Sequence, residues 1–184
     1  VRQAARGGGW GAERPASVGL SAPEHVRQLA AAHWFERAQA EHASVASFAR
    51  HVLELLGVGA PRHLVEGASR AALDEIEHAR LALALAAGLN ATSPSGAGTS
   101  LVGPAALDVS DSRLATQPSL LDVAVAAARD GCVGETVAAV EARASALAAV
   151  DPSVREALLT ISADEARHAA LGWSMVQWAL AEMA

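Results

Sequence analysis

Four stretches of the chain repeat apolar and small side chains every three to four residues, the spacing of one helix face. The first starts at Ser21-Ala22-Pro23, a helix-opening signal, and runs to Leu56, where Gly57 and Gly59 stop it. Pro61 opens the second. Its stripe is Leu64, Ala68, Ala71, Ala82 and Leu85, and it ends near Gly88-Leu89-Asn90. Ser119 caps the third, which extends to about Val150; Asp151 followed by Pro152 is an N-cap and first-position pair for the fourth. The fourth carries Val154, Leu158, Ile161, Gly172 and Met175 on one face. The pattern predicts an all-α fold of four helices, paired by short connections into two antiparallel hairpins.

Two stretches lack that period. From Asn90 to Pro118 the composition turns to Ser, Thr, Gly, Pro and Asp, and a connection so long inside a compact domain needs a reason. A crossover provides one, because parallel second and third helices require a connection as long as the bundle, with residues 101–109 packing on it as they pass. Residues 1–20 hold five glycines and are expected to form an irregular arm pinned by Trp10. Residues 21–184 are expected to form one bundle domain, since a chain of 184 residues with 52% apolar content fills one core.

Polar residues interrupt the apolar stripes at matching places. Glu75 and His78 lie on the stripe of the second helix, and Glu165 and His168 on that of the fourth. Each pair, in Asp74-Glu75-Ile76-Glu77-His78 and Asp164-Glu165-Ala166-Arg167-His168, puts a carboxylate and an imidazole one turn apart on one face. Each is preceded by a lone Glu in a run of small residues, Glu41 within Ala40–Phe48 and Glu135 within Gly131–Ala139. Four carboxylates and two imidazoles form a donor set for two divalent cations between four helices. Buried without cations, four ionised carboxylates would cost several kcal/mol each; two doubly charged ions neutralise them.

This doubled order, Glu then Asp-Glu-x-x-His, resembles the ferritin-like di-iron carboxylate superfamily, and within it the oxygen-activating branch marked by two copies of Glu followed by Asp-Glu-x-Arg-His. The second copy, with 28 residues between Glu135 and Asp164, matches in full; the first, with 32 between Glu41 and Asp74, has Glu77 where Arg is usual. The resemblance covers residues from about 30 to 180 and implies a ferritin-like four-helix bundle with a long crossover between helices two and three. It implies Glu41, Glu75, His78, Glu135, Glu165 and His168 as metal ligands, with Glu75 and Glu165 bridging. Asp74 and Asp164 would each hold the imidazole of the opposite motif, and Arg167 would pair with one of them across the bundle or stay at the surface. Because the carboxylates, Asp74, Asp164 and Arg167 surround the reacting centre, they are also the candidate catalytic groups.

The implied cofactors are two Fe ions, or Mn/Fe or two Mn, with O2. The implied activity is that of an oxidase or monooxygenase acting on a small organic substrate, fed by a separate reductase or ferredoxin; a ferroxidase or iron store is the alternative. Peroxidases of the rubrerythrin kind are disfavoured because Ala138 stands where they carry a further Glu, and one cysteine cannot make a rubredoxin module. With Tyr absent, a tyrosyl radical is excluded; all fourteen basic residues are Arg, so a Schiff-base lysine is excluded too.

A net charge of -6 argues against a nucleic-acid partner, and no apolar run reaches the length of a bilayer span. Single Cys132 excludes an internal disulfide and fits a reducing, cytoplasmic setting, although the chain begins at Val1 rather than Met and a removed leader stays open. Gly131, Cys132 and Ala38 are placed by helical spacing to line a substrate pocket, Cys132 alternatively serving as a small core residue. Trp34 and Phe48 are read as core, Trp173 and Trp178 as core or as contact in a homodimer, and His25, His33, His42, His51 and His63 as lying off the ligand face.

Overall fold

The computed structural model describes residues 10, 16, 18, 19, 21–91 and 118–184. The described residues contain helices and no strand. α1 (Glu24–Gly57) and α2 (Arg62–Ala91) form the first hairpin, turning through Gly59, whose positive φ of 71° suits a residue without a side chain. The second hairpin begins with α3 (Leu120–Ala126), continues without a break through a π-helical segment (Ala127–Glu135) into α4 (Thr136–Ala148), and returns as α5 (Pro152–Met183). The expected crossover and residues 101–109 lie outside the described residues, as does most of the N-terminal arm.

The helix starts are where the capping residues put them. Ser119 accepts from the backbone of Asp122, whose carboxylate accepts in return from the Ser119 amide, a complete capping box. Asp151 Oδ1 takes the amides of Ser153 at 2.9 Å and Val154 at 3.1 Å, while its Oδ2 takes Gly19 N at 2.7 Å and ties the preceding chain to this corner. Trp10 stacks edge-on against His42 with ring centres 4.6 Å apart, and Ala16 N bonds to Ala84 O. That contact leaves no room at Gly88, where a Cβ would meet Ala16 O at 2.2 Å.

The third stretch departs from a uniform helix to Val150: it ends at Ala148 and is π-helical in its middle. The cause is packing. Gly131 and Gly172 bring the π segment and α5 into backbone contact, a Cβ on Gly131 falling 2.9 Å from Gly172 Cα. A π turn inserts a residue into the helix repeat and shifts the angular phase of the residues beyond it.

Apolar packing divides into two clusters. One joins Trp34, Ala38, Leu83, Leu85, Leu158 and Ile161; the other joins Leu55, Leu64, Ala68, Val123, Ala127 and Met175. Between them lies a layer of polar side chains. Trp178 packs partly buried on the second cluster, whereas Trp173 is 56% exposed and no part of a core.

Candidate metal centre

The polar layer is built from the stripes that interrupted the apolar pattern. Glu41, Glu75, His78, Glu165 and His168 are all buried, and Glu135 is partly so. Their ligand atoms fall into two overlapping groups, Glu41 with Glu75, His78 and Glu165, and Glu135 with Glu75, Glu165 and His168, the atoms of each group lying within 4.8 Å of one another. Glu75 and Glu165 belong to both. A group of this kind could hold a metal ion, and two carboxylates are shared between the groups.

Both imidazoles present Nδ1 to the centre. His168 Nδ1 is 3.1 Å from Glu165 Oε2 and 3.3 Å from Glu75 Oε1; His78 Nδ1 is 3.7 Å from both Glu75 and Glu165, too far for a hydrogen bond. On their outer edges the pairing is reciprocal: His78 Nε2 lies 3.1 Å from Asp164, and His168 Nε2 lies 3.2 Å from Asp74. This fixes α2 and α5 as antiparallel, residue 74 facing 168 and 78 facing 164. An outer carboxylate that takes Nε2–H leaves the Nδ1 lone pair directed inward. Arg167 donates to Asp164 and, at 3.1 Å, to Asp74, so one guanidinium joins both outer carboxylates.

Three atoms in the centre are sealed from water and have no hydrogen-bond partner: both carboxylate oxygens of Glu75 and Nδ1 of His78. Orphans of this kind are expensive in a protein interior, and a cation bound among them would satisfy all three. Protons otherwise carry the balance. Burial pushes Glu135 up to about 9, helped by Glu165 and Glu75. Burial also raises Glu41 to about 7 against the opposing charge of Arg37, whose Nη2 is 2.9 Å from Glu41 Oε1. For the imidazoles burial acts downward but the surrounding carboxylates outweigh it, holding His78 at about 9 and His168 at about 10. Burial opposes ionisation of Glu75 too, yet His168 and His78 pull it down to about 2.

A cavity of about 200 Å3 opens beside the centre, with Glu135 and His168 among its lining residues. Gly131 lines it as helical spacing anticipates, whereas Cys132 and Ala38 do not: Ala38 is packed in the first apolar cluster, and the π segment breaks the 3.6-residue repeat that would bring Cys132 to the wall. Cys132 is instead buried with its backbone against Gly172, and burial raises its thiol pKa. Phe48 is buried but stands at the cavity wall, its ring centre 5.0 Å from that of His168. His51, off the ligand face, is buried in the same wall. Arg37 is a further contributor that the motifs do not point to, although an Arg four residues before Glu41 is visible in the chain. His25, His33 and His63 are exposed and His42 is partly buried under Trp10.

Comparison with protein-family models, with curated proteins and with solved structures finds no match to this chain. Among the described residues no helix is long and apolar enough to cross a membrane.

Proposed function

We propose that this chain is a ferritin-like dinuclear metal protein that activates O2 for oxidation of a small organic substrate. The observation that carries the reading is the overlap of the two donor groups in Glu75 and Glu165. In this reading Glu41 and His78 would complete one position and Glu135 and His168 the other, with Glu75 and Glu165 available to both. The orphaned atoms of Glu75 and His78 favour occupancy by cations, and Asp164 and Asp74 supply the outer hydrogen bonds that hold metal-binding imidazoles in one orientation. Antiparallel α2 and α5, combined with two hairpins, make α2 and the third rod run the same way. That supports the ferritin-like topology with a long crossover between the second and third helices.

When bound, a reducible pair such as two Fe, Mn/Fe or two Mn supplies electrons for O2 reduction, renewed by a separate reductase or ferredoxin. The protein's own part is to hold six donors at fixed distance, to keep bulk water out with the apolar clusters on either side, and to admit a substrate beside Glu135 and His168. The cavity favours the oxygenase reading over a ferroxidase or store, which needs room only for ions. A homodimer is the proposed assembly.

The test begins with metal-free protein loaded anaerobically with Fe2+. The expected result is two ions per chain and, on admitting O2, about two Fe2+ oxidised before arrest. Fewer than one ion per chain overturns the metal reading. Sustained oxidation of tens of Fe2+ per chain without reductant overturns the oxygenase reading in favour of a store.

A further inference from the structure

The cavity beside the centre has two unlike walls. Its α1 wall is polar: Ser44, Ser47 and His51 sit at spacings of three and four on one helix face. Its α5 wall is apolar, formed by Leu171 and Met175. His51 is only 5% exposed, and Glu54 Oε2, an acceptor without a hydrogen-bond partner of its own, stands 3.4 Å from His51 Nδ1. The carboxylate favours the proton on Nδ1, which makes Nε2 a lone-pair acceptor. Nε2 has no hydrogen-bond partner among the described residues, and His51 lines the cavity. Half-buried Ser44 and Ser47 likewise show no hydroxyl hydrogen bond among the described residues, where a helical serine can bond back to its own helix. A 95% buried imidazole and two hydroxyls without partners, all on residues that line one cavity, are groups that a ligand there could engage.

We propose that this cavity binds a small neutral molecule, one ring in size, that donates a hydroxyl hydrogen bond to His51 Nε2, exchanges hydrogen bonds with Ser44 and Ser47, and lays its apolar body on Leu171 and Met175. The size is set by the volume, since a cavity of about 150 Å3 takes benzene. Neutrality is favoured at the His51 side of the pocket, where Arg50 stands 3.5 Å from both Glu54 and the lining residue Asp130 and Arg129 pairs with Asp130 at 2.7 Å, so two cations offset two carboxylates. Phe48 contacts both imidazoles, with ring centres 6.2 Å from His51 and 5.0 Å from His168. A ring held by its hydroxyl at His51 therefore occupies the same cavity that Glu135 and His168 line. The inference rests on the proposed dinuclear reading only for what then happens to the ligand; the binding stands by itself.

Benzyl alcohol and ethylbenzene, equal in shape and differing in the hydroxyl, are the probes, with binding followed by ligand-observed NMR in metal-free and in Mn2+-loaded protein. Both should bind the native chain. His51→Leu should weaken benzyl alcohol about tenfold and leave ethylbenzene unchanged, since one buried hydrogen bond is lost. Ser44→Ala/Ser47→Ala should act in the same direction and carries the test if His51→Leu lowers helix content by circular dichroism. Binding of neither probe, or variants that weaken both probes equally or neither, overturns the proposal. Loss of probe binding with Mn2+ uptake intact sinks this inference alone; absent Mn2+ uptake with selective benzyl alcohol binding sinks the dinuclear reading alone and upholds the pocket.

Discussion

Metal binding at this centre should expel protons in a number that the structure sets. At pH 7, His78 at about 9, His168 at about 10 and Glu135 at about 9 each hold a proton, and Glu41 at about 7 holds one half of the time. Ligation requires neutral imidazole and ionised carboxylate, so filling both positions should release about three to four protons per chain at pH 7. At pH 8.5 Glu41 is already ionised and release should fall to about two to three. The equilibrium constant for taking up the pair should accordingly rise by about three to four powers of ten per pH unit near pH 7. The assay is calorimetric titration of metal-free protein with Mn2+ in two buffers of different ionisation enthalpy, the difference between them counting protons. Release of less than one proton per chain with both ions bound would refute the account of burial and charge at the centre.

The metal-free protein should lose stability as pH rises from 6 to 10. His78 and His168 have folded pKa values above their unfolded ones, so their contribution is complete below about 6.5 and disappears through 9 to 10; raised Glu41 and Glu135 act in the same direction, and melting temperatures at pH 6, 8 and 10 check it. Metal should abolish that slope, and chelation should lower the melting temperature of the loaded native protein but not that of Glu165→Ala. Asp164→Asn should weaken Mn2+ binding by about 10 to 100 fold, because His78 loses the acceptor at its Nε2; an unchanged dissociation constant would remove Asp164 from that role. Gly172→Ala places a Cβ 2.8 Å from Cys132 N and should cost about 1–3 kcal/mol in denaturant unfolding, loosening the wall that carries Glu135.

Much of the centre is legible in the chain because its residues break a rule. Glu75 and His78 occupy apolar-stripe positions between Ala71 and Ala82, and Glu165 and His168 do the same after Ile161; all are buried in the structure. Caps are legible for a similar reason, Ser119 and Asp151 being chemically suited to free amides. Cys132 escapes such reading because helical spacing assumes a uniform helix, and the π segment depends on contact between Gly131 and a glycine more than forty residues away. His51 escapes it because the cavity it lines exists only in the folded chain, although its pairing with Glu54 three residues on is visible in the sequence.

Arg167 makes the two hairpins depend on each other. Each carries Glu and Asp-Glu-x-x-His, but the position of Arg167 is filled in the first by Glu77, engaged with Arg80 at 2.7 Å. Arg167 donates to both Asp74 and Asp164, so one guanidinium serves the outer carboxylate of each hairpin. A change at this one position therefore reaches both imidazoles, His168 through Asp74 and His78 through Asp164, and the twofold symmetry of the inner side chains stops one layer out.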